Sequence, residues 1–229
     1  SLLAGYPGEF AFGPTAFMHR PSGGAFPTAP ISHHWLDSGH ITMGVVTGAV
    51  EHNSLKLEVS QFTGREPDQH RFDLDPVKLD STAIRATWQA TPNLAVQASW
   101  ARQVSAEQLD PDTDLIKTSL SAEYRRALPV GQLNTTVAWG RKREAHGEDK
   151  PLDAWLLENS LAFNDRWRGL LRYERVNNNE LAPGTHWVAK TEVGAVRTFT
   201  LSDRISLGIG VVQQFNTVAE IRGTEKPGE

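Results

Sequence analysis

Residues 84–101, with the sequence IRATWQATPNLAVQASWA, decide the fold predicted for this chain. Apolar and polar residues alternate on both sides of Pro92-Asn93, and a period of two residues is typical of a β-strand with one apolar face. Two such runs joined by a tight turn predict an antiparallel β-hairpin. The same unit recurs along most of the sequence.

Short and long connections alternate between the predicted strands. Tight turns are predicted near Asn53, Pro92-Asn93, Pro129-Gly131, Asn164-Asp165 and Ser202-Asp203. Long polar connections are predicted at residues 64–78, 104–115, 143–152 and 177–185. Strands that cross a slab, with short turns on one side and long loops on the other, are typical of a transmembrane β-barrel. The sequence therefore predicts an all-β fold, an antiparallel up-and-down transmembrane barrel with about ten visible strands.

Composition excludes several other classes of protein. The 229 residues carry a net charge of −4, which gives no support for a nucleic-acid partner. Cysteine is absent, so disulfides and thiolate metal sites are excluded. No apolar run reaches the roughly 18–20 residues of a transmembrane helix. The sequence shows no catalytic motif, so we predict neither an enzyme nor a cofactor.

The aromatic residues indicate which medium surrounds the predicted barrel. Six of the seven tryptophans lie on the apolar faces of strands, near strand ends. One predicted girdle, beside the long loops, contains Trp100, Trp139, Trp155, Trp187 and Phe215. The other, beside the short turns, contains Trp88, Tyr124, Phe163, Trp167 and Phe199. Two girdles suit the two headgroup layers of a membrane, so we predict a bacterial outer-membrane protein with outer-membrane lipid as a partner.

The opposite strand face carries charges of both signs and is predicted to line a pore. The predicted pore-lining residues are Lys56, Glu58, Arg85, Lys117, Glu123, Arg125, Glu158, Arg168, Arg172, Glu174, Lys190 and Glu192. Charges at these positions would be costly in lipid or in a dry core, so they need water or one another. The mixture indicates no preference between anions and cations among small solutes or ions.

Three regions are predicted. Residues 1–39 contain the end of a strand followed by a long loop rich in proline, glycine and histidine, which caps or constricts the barrel mouth. Residues 40–217 form the barrel strands, with a β-bulge expected near Gln61 because Phe62 breaks the alternation. Residues 218–229 form an outer loop that precedes a missing strand.

A histidine cluster in the first region suggests a second kind of site. His33, His34 and His40 lie within eight residues of one another, together with Asp37. Imidazole and carboxylate groups are ligands for zinc and copper, although this spacing matches no standard metal motif. Ordinary hydrogen bonding of these side chains within a loop is the alternative interpretation.

Four short motifs give information that the alternation of apolar and polar residues does not. They are PTAFMHR at 14–20, HHWLDSGHIT at 33–42, GREPD at 64–68 and LDS at 79–81. The chain resembles, in these motifs, a family of uncharacterised outer-membrane β-barrel proteins of Gram-negative bacteria, most densely over residues 1–90. The resemblance implies a larger barrel of about 14–16 strands, of which this chain is a fragment. It assigns no metal ligand to the histidines.

Three functions are predicted in order of preference. The first is a passive pore or structural barrel with a polar, mixed-charge lumen. The second is a copper- or zinc-linked outer-membrane barrel with a histidine-rich mouth. The third is a soluble β-barrel that binds a ligand.

Overall fold

Eleven antiparallel strands form a single sheet. The computed structural model describes residues 1–67, 70, 74–107, 111–146, 150–179 and 184–218. The strands are β1 (Leu2–Gly5), β2 (Val45–His52), β3 (Leu55–Phe62), β4 (Ser81–Thr91), β5 (Leu94–Gln103), β6 (Leu115–Leu128), β7 (Gly131–Glu144), β8 (Leu152–Ala162), β9 (Trp167–Asn178), β10 (His186–Ser202) and β11 (Ile205–Val218). Each strand pairs with the next along the chain, from β1 at one edge to β11 at the other.

This topology confirms the predicted up-and-down fold. The ten predicted segments correspond to β2–β11, and the predicted end of a preceding strand corresponds to β1. The tight turns lie where proline, glycine and asparagine predicted them. Asn53 has a φ of 52° and Gly131 a φ of 142°, the left-handed region that short hairpin turns need.

Two local expectations were wrong or inexact. No bulge interrupts β3 near Gln61. The pairing of β2 with β3 runs without a register shift from the pair His52–Leu55 at the turn to the pair Val45–Phe62 at the other end. Phe62 instead follows the regular alternation and points inward. Strand β2 begins at Val45 and not near residue 41, because Gly44 adopts a φ of 116° that breaks the extended backbone.

The outer face of the sheet exposes the predicted aromatic girdles. Trp88 is 53% exposed, Trp155 is 51% exposed and Phe215 is 58% exposed. Val137 and other aliphatic residues between the girdles are exposed on the same face. The alternation of β3 therefore places Leu55, Leu57 and Val59 on the outside and Lys56, Glu58 and Ser60 on the inside.

Residues 7–44 lie against the inner face of the sheet, and we call them the inner segment. It contains a four-residue helix, α1 (His33–Leu36), followed by a 3-10 helix at Ser38–His40. No helix in the described ranges is long and apolar enough to cross a membrane. Two apolar clusters hold the segment in place. Phe10 and Phe12 pack with Val45 and Phe62, and Trp35 and Leu36 pack with Ala138, Leu152, Ala154, Leu156 and Val176.

The Phe62 contact gives a first prediction, on stability. The Phe62 ring is fully buried and stacks on Phe10, with ring centroids 3.7 Å apart. We expect Phe62→Ala to lower the free energy of unfolding by about 3–5 kcal/mol, because it leaves a cavity in a closed apolar cluster. Urea unfolding in detergent micelles measures this change. Gln61→Ala, one residue away on the exposed face, is the matched control, with an expected change within about 0.5 kcal/mol. Equal losses would show that the stacked pair is not a fixed part of the fold.

Candidate functional site in the barrel interior

The inner segment follows the interior wall of the sheet from strand to strand. Its first part is extended, and backbone amides of alternate residues donate hydrogen bonds to wall side chains: Ala11 to Ser60 Oγ of β3 (2.9 Å), Gly13 to Ser99 Oγ of β5 (2.8 Å) and Thr15 to Glu123 Oε1 of β6 (3.0 Å). Gly13 has a φ of 70°, and a Cβ there would lie 1.6 Å from the Leu36 carbonyl oxygen. Only glycine therefore lets the two arms of the segment approach so closely.

The middle of the segment is fixed by six alternating charges, which we call the buried charge chain. Its links are Asp37 Oδ2 to Arg20 Nη1 (3.0 Å), Arg20 Nε to Glu158 Oε1 (2.8 Å), Glu158 Oε2 to Arg172 Nε (2.7 Å), Arg172 Nη1 to Glu192 Oε2 (2.9 Å) and Glu192 Oε1 to Lys190 Nζ (3.2 Å). Three cations face three carboxylates, so the buried charge chain has no formal net charge. Arg20 and Asp37 come from the inner segment and the other four residues from β8, β9 and β10.

Burial makes this chain sensitive to the loss of any member. The side chains of Arg20, Glu158 and Arg172 have no solvent exposure. A buried ion pair is neutral or modestly stabilising while complete, but removal of one partner leaves an uncompensated charge in a medium of low dielectric constant. In the position that the segment occupies, all six charges of the buried charge chain have a partner of opposite sign.

Neutral hydrogen bonds complete the attachment. Ser22 Oγ lies 2.7 Å from Thr136 Oγ1 and donates to Glu158 Oε1 at 2.8 Å. Ser32 donates to Glu174 Oε1 from its backbone nitrogen at 2.9 Å and from its hydroxyl at 2.7 Å. These contacts lie on β7, β8 and β9, so the segment is tied to several strands and not to one.

Thr28 and Trp35 attach the inner segment to two further places on the wall. Thr28 Oγ1 donates to Glu192 Oε1 at 2.7 Å, which reaches β10. The indole nitrogen of Trp35 donates to the Leu152 carbonyl oxygen at 3.1 Å. The segment thus crosses the interior and returns along the wall towards β2.

Among the residues that the structure describes, two cavities have charged side chains in their walls. One of about 250 Å³ is lined by Glu9, Lys56, Glu58 and Arg85 among others. The other, of about 210 Å³, lies at the short-turn end and is lined in part by Glu123 and Arg125. Charged walls suit water, ions and small hydrophilic solutes better than an apolar ligand.

The structure brings some predicted pore-lining residues together and separates others. Glu158, Arg172, Lys190 and Glu192 meet in the buried charge chain. Lys56, Glu58 and Arg85 form a second group, with Glu58 2.7 Å from Lys56 and 2.8 Å from Arg85. The remaining five are dispersed over β6 and β9: Lys117, Glu123, Arg125, Arg168 and Glu174. Whether any of the twelve residues lines an open pore stays a prediction.

The carboxyl groups of Glu9 and Glu66, which lie outside the strands, have shifted pKa values. Burial raises the pKa of Glu9 above its ordinary value, against the opposing charge of Arg85, which lies 3.8 Å away. Burial also raises the pKa of Glu66, but a hydrogen bond from His34 and the charge of Lys117 outweigh it, so the net pKa lies below the ordinary value. Glu9 is therefore the more readily protonated of the two.

The three histidines proposed as metal ligands lie close together, with the centre of the His33 ring 5.5 Å from that of His34 and 4.9 Å from that of His40, but the Nδ1 atom of each has a partner other than a histidine. His33 Nδ1 lies 2.6 Å from Asp37 Oδ1, His34 Nδ1 lies 3.5 Å from Glu66 Oε1, and His40 Nδ1 lies 3.1 Å from the Asp37 carbonyl oxygen. Within the part of the chain that the structure describes, no three His, Cys, Asp or Glu side chains are grouped so as to hold a metal ion. This geometry gives no support to the metal prediction.

Sequence reasoning missed the residues of the inner segment that bind the wall. Arg20, Ser22 and Thr28 stand in a stretch rich in glycine and proline, where no periodicity marks a side chain as buried. Phe62 and Leu156 gave the available signal. Both are large apolar residues on an otherwise polar face, and both turn out to contact the segment.

Comparison with solved structures supports the same architecture. An anion-selective porin from Comamonas acidovorans superposes with a TM-score of 0.54 at 15% sequence identity, over 79% of this chain and 51% of that protein. The chain has a porin-like β-barrel fold. It spans about half the length of that porin. No protein-family model and no curated protein matches the chain, so its resemblance to an uncharacterised outer-membrane family stays a prediction.

Proposed function

We propose that this chain forms the wall and the constriction of an outer-membrane pore through which small hydrophilic solutes diffuse. The observation that carries the proposal is the inner segment itself. A stretch of 38 residues, 7–44, crosses a polar interior and is fixed there by buried ion pairs. A segment attached in this way narrows the path without adding an apolar binding pocket.

The two faces of the sheet support membrane insertion. Aromatic residues near both strand ends and aliphatic residues between them are exposed on the outer face. Glu158 and Arg172 lie on the inner face, and the exposed arginines of the outer face, such as Arg141 and Arg126, lie near the strand ends and not in the middle of the strands. Lipid favours this division, because a charge facing the bilayer midplane costs about 2–4 kcal/mol.

The two cavities with charged residues in their walls support passage of polar solutes. Their walls contain Glu9, Lys56, Glu58, Arg85, Glu123 and Arg125. These charges are of both signs, so we propose diffusion of small solutes with weak charge selectivity. A barrel whose segment fills the interior completely is the competing, structural role.

Conductance in planar bilayers tests the proposal. We expect the intact protein, folded and inserted in a bilayer bathed in KCl, to give discrete current steps. Heat-modifiable migration on a gel provides the control for folding. If folded and inserted protein gives no steps, the barrel is closed and the structural role is correct.

A further inference from the structure

A cavity of about 250 Å³ lies between the beginning of the inner segment and the inner faces of β2, β3 and β4. Glu9 and Ala11 line it from the inner segment, and Thr47, Glu58 and Arg85 line it from the strands. None of the six residues of the buried charge chain belongs to its lining. At roughly 30 Å³ for each water, the space holds about eight waters, so a small organic solute fits.

Three of the charged side chains around this cavity form a fixed group with a surplus of one positive charge. Lys56 Nζ donates to Glu58 Oε1 at 2.7 Å, and Arg85 Nε donates to Glu58 Oε2 at 2.8 Å. Each oxygen of the Glu58 carboxylate therefore has its own cation. The guanidinium group of Arg85 has two further nitrogens, and among the described residues neither donates a hydrogen bond. The group thus offers N–H donors to an anion in the cavity.

Glu9 adds a negative charge to the cavity without a hydrogen bond to these cations. Its Oε1 atom lies 3.8 Å from Arg85 Nη1, beyond the roughly 2.7–3.2 Å of a hydrogen bond. Within the described part of the chain, neither carboxylate oxygen of Glu9 accepts a hydrogen bond. Burial raises the pKa of Glu9 in spite of the charge of Arg85, so the ionised carboxylate is incompletely stabilised. A cationic group beside Glu9 would stabilise that ionised form.

We propose that this cavity binds a free α-amino acid as a zwitterion, with the ligand carboxylate at Lys56 and Arg85 and the ligand ammonium at Glu9. The ligand lies beside the Arg85–Glu9 pair with its own two charges in the reverse order, so each charge meets its opposite. The planar N–H donors of an arginine match the two oxygens of a carboxylate.

The spacing of the two protein charges favours α-amino acids among zwitterions. The amino nitrogen and the carboxyl carbon of an α-amino acid are only about 2.5 Å apart. Arg85 Nη1 and Glu9 Oε1 are 3.8 Å apart, so both ends of such a ligand reach their partners at once. A zwitterion with a longer chain between its charges has to bend to make the same two contacts.

A solute with a single charge satisfies only part of this site. A carboxylate such as propionate gains the donors of Lys56 and Arg85 but is repelled by Glu9. An amine gains Glu9 but is repelled by the two cations. The site therefore refines the weak charge selectivity of the proposed pore into a preference for zwitterions. The inference rests on the proposed pore for entry of the solute, but its test requires binding and not current.

Saturation-transfer NMR of the intact protein, folded in detergent micelles at neutral pH, tests the inference with L-alanine and propionate as probes. We expect wild type to bind L-alanine at least about tenfold more tightly than propionate, because a hydrogen bond between charged groups contributes about that factor. Glu9→Gln should weaken L-alanine binding about tenfold and leave propionate binding unchanged or tighter. The preference for the zwitterion then disappears.

Asp203→Asn is the matched control. It also removes one carboxylate, but Asp203 lies in the exposed turn between β10 and β11, so the wild-type preference should persist. Equal binding of L-alanine and propionate by wild type would overturn the inference, as would a Glu9→Gln variant that retains the preference. Preference for L-alanine without current would contradict the proposed pore alone. Heat-modifiable migration shows that each variant is folded, and a ratio of two affinities does not depend on the folded fraction.

Discussion

Arg20→Met is expected to release the inner segment from the wall and to raise single-channel conductance severalfold. Arg20 is fully buried and joins Asp37 of the segment to Glu158 of β8. Methionine keeps much of the side-chain volume but leaves both carboxylates short of a cation. Breaking a buried pair by removing one partner costs about 3–5 kcal/mol. Detachment of the segment relieves that cost, because water can then reach the carboxylates.

Single-channel recording and limited proteolysis measure the release. We expect larger current steps and faster cleavage by chymotrypsin within residues 7–44, where Phe10, Phe12 and Trp35 become accessible. Arg102→Met is the matched control. Its ion pair with Asp114 is half exposed at the arginine and is worth about 0–1 kcal/mol. That variant should leave current and cleavage near wild-type values.

The contrary result would also be informative. If Arg20→Met conducts like wild type and resists chymotrypsin, the apolar clusters around Phe62 and Trp35 hold the segment without the buried charge chain. The buried charge chain would then determine the local charge of the interior and not the position of the inner segment. The double variant Arg20→Met/Phe62→Ala separates these cases, because it removes one attachment of each kind.

The strands could be predicted from the sequence because each obeys a local rule. Alternation in residues 84–101 depends only on neighbouring residues and on the two media that the faces meet. The turn at Asn53 depends on one residue that tolerates positive φ. The short turns determine five of the strand pairs, β2–β3, β4–β5, β6–β7, β8–β9 and β10–β11, and the other pairs join strands that follow one another in the chain.

The interior could not be predicted in the same way, because its contacts join residues far apart in sequence. Arg20 meets Glu158 across 138 positions, and Ser32 meets Glu174 across 142. No sequence periodicity relates such pairs. A charged side chain on the inner face can be solvated by water or can form an ion pair, and the sequence does not distinguish the two. The exceptions in the pattern were the informative positions. The break in alternation at Phe62 led to the prediction of a bulge, but Phe62 lies where the inner segment packs against β3.

Val137→Arg is expected to destabilise the folded barrel in lipid by about 2–4 kcal/mol, because it places a charge near the bilayer midplane. Val137 lies in the middle of β7, on the outer face, and is 46% exposed. In water, an exposed valine can be replaced by arginine with a change within about 0.5 kcal/mol. The size of the loss therefore reports the medium that touches the outer face. Reversible urea unfolding in phospholipid vesicles gives the free energy.

Val130→Arg is the matched control for depth. Val130 is the same residue type at 55% exposure, but it lies in the turn between β6 and β7, at the level of water. Arginine near the interface costs about 0–1 kcal/mol, so the two variants should differ by at least ~1 kcal/mol in vesicles. Equal, small effects at both positions would mean that water and not acyl chains surrounds β7. That outcome would remove the basis for the proposed pore and would favour a soluble barrel.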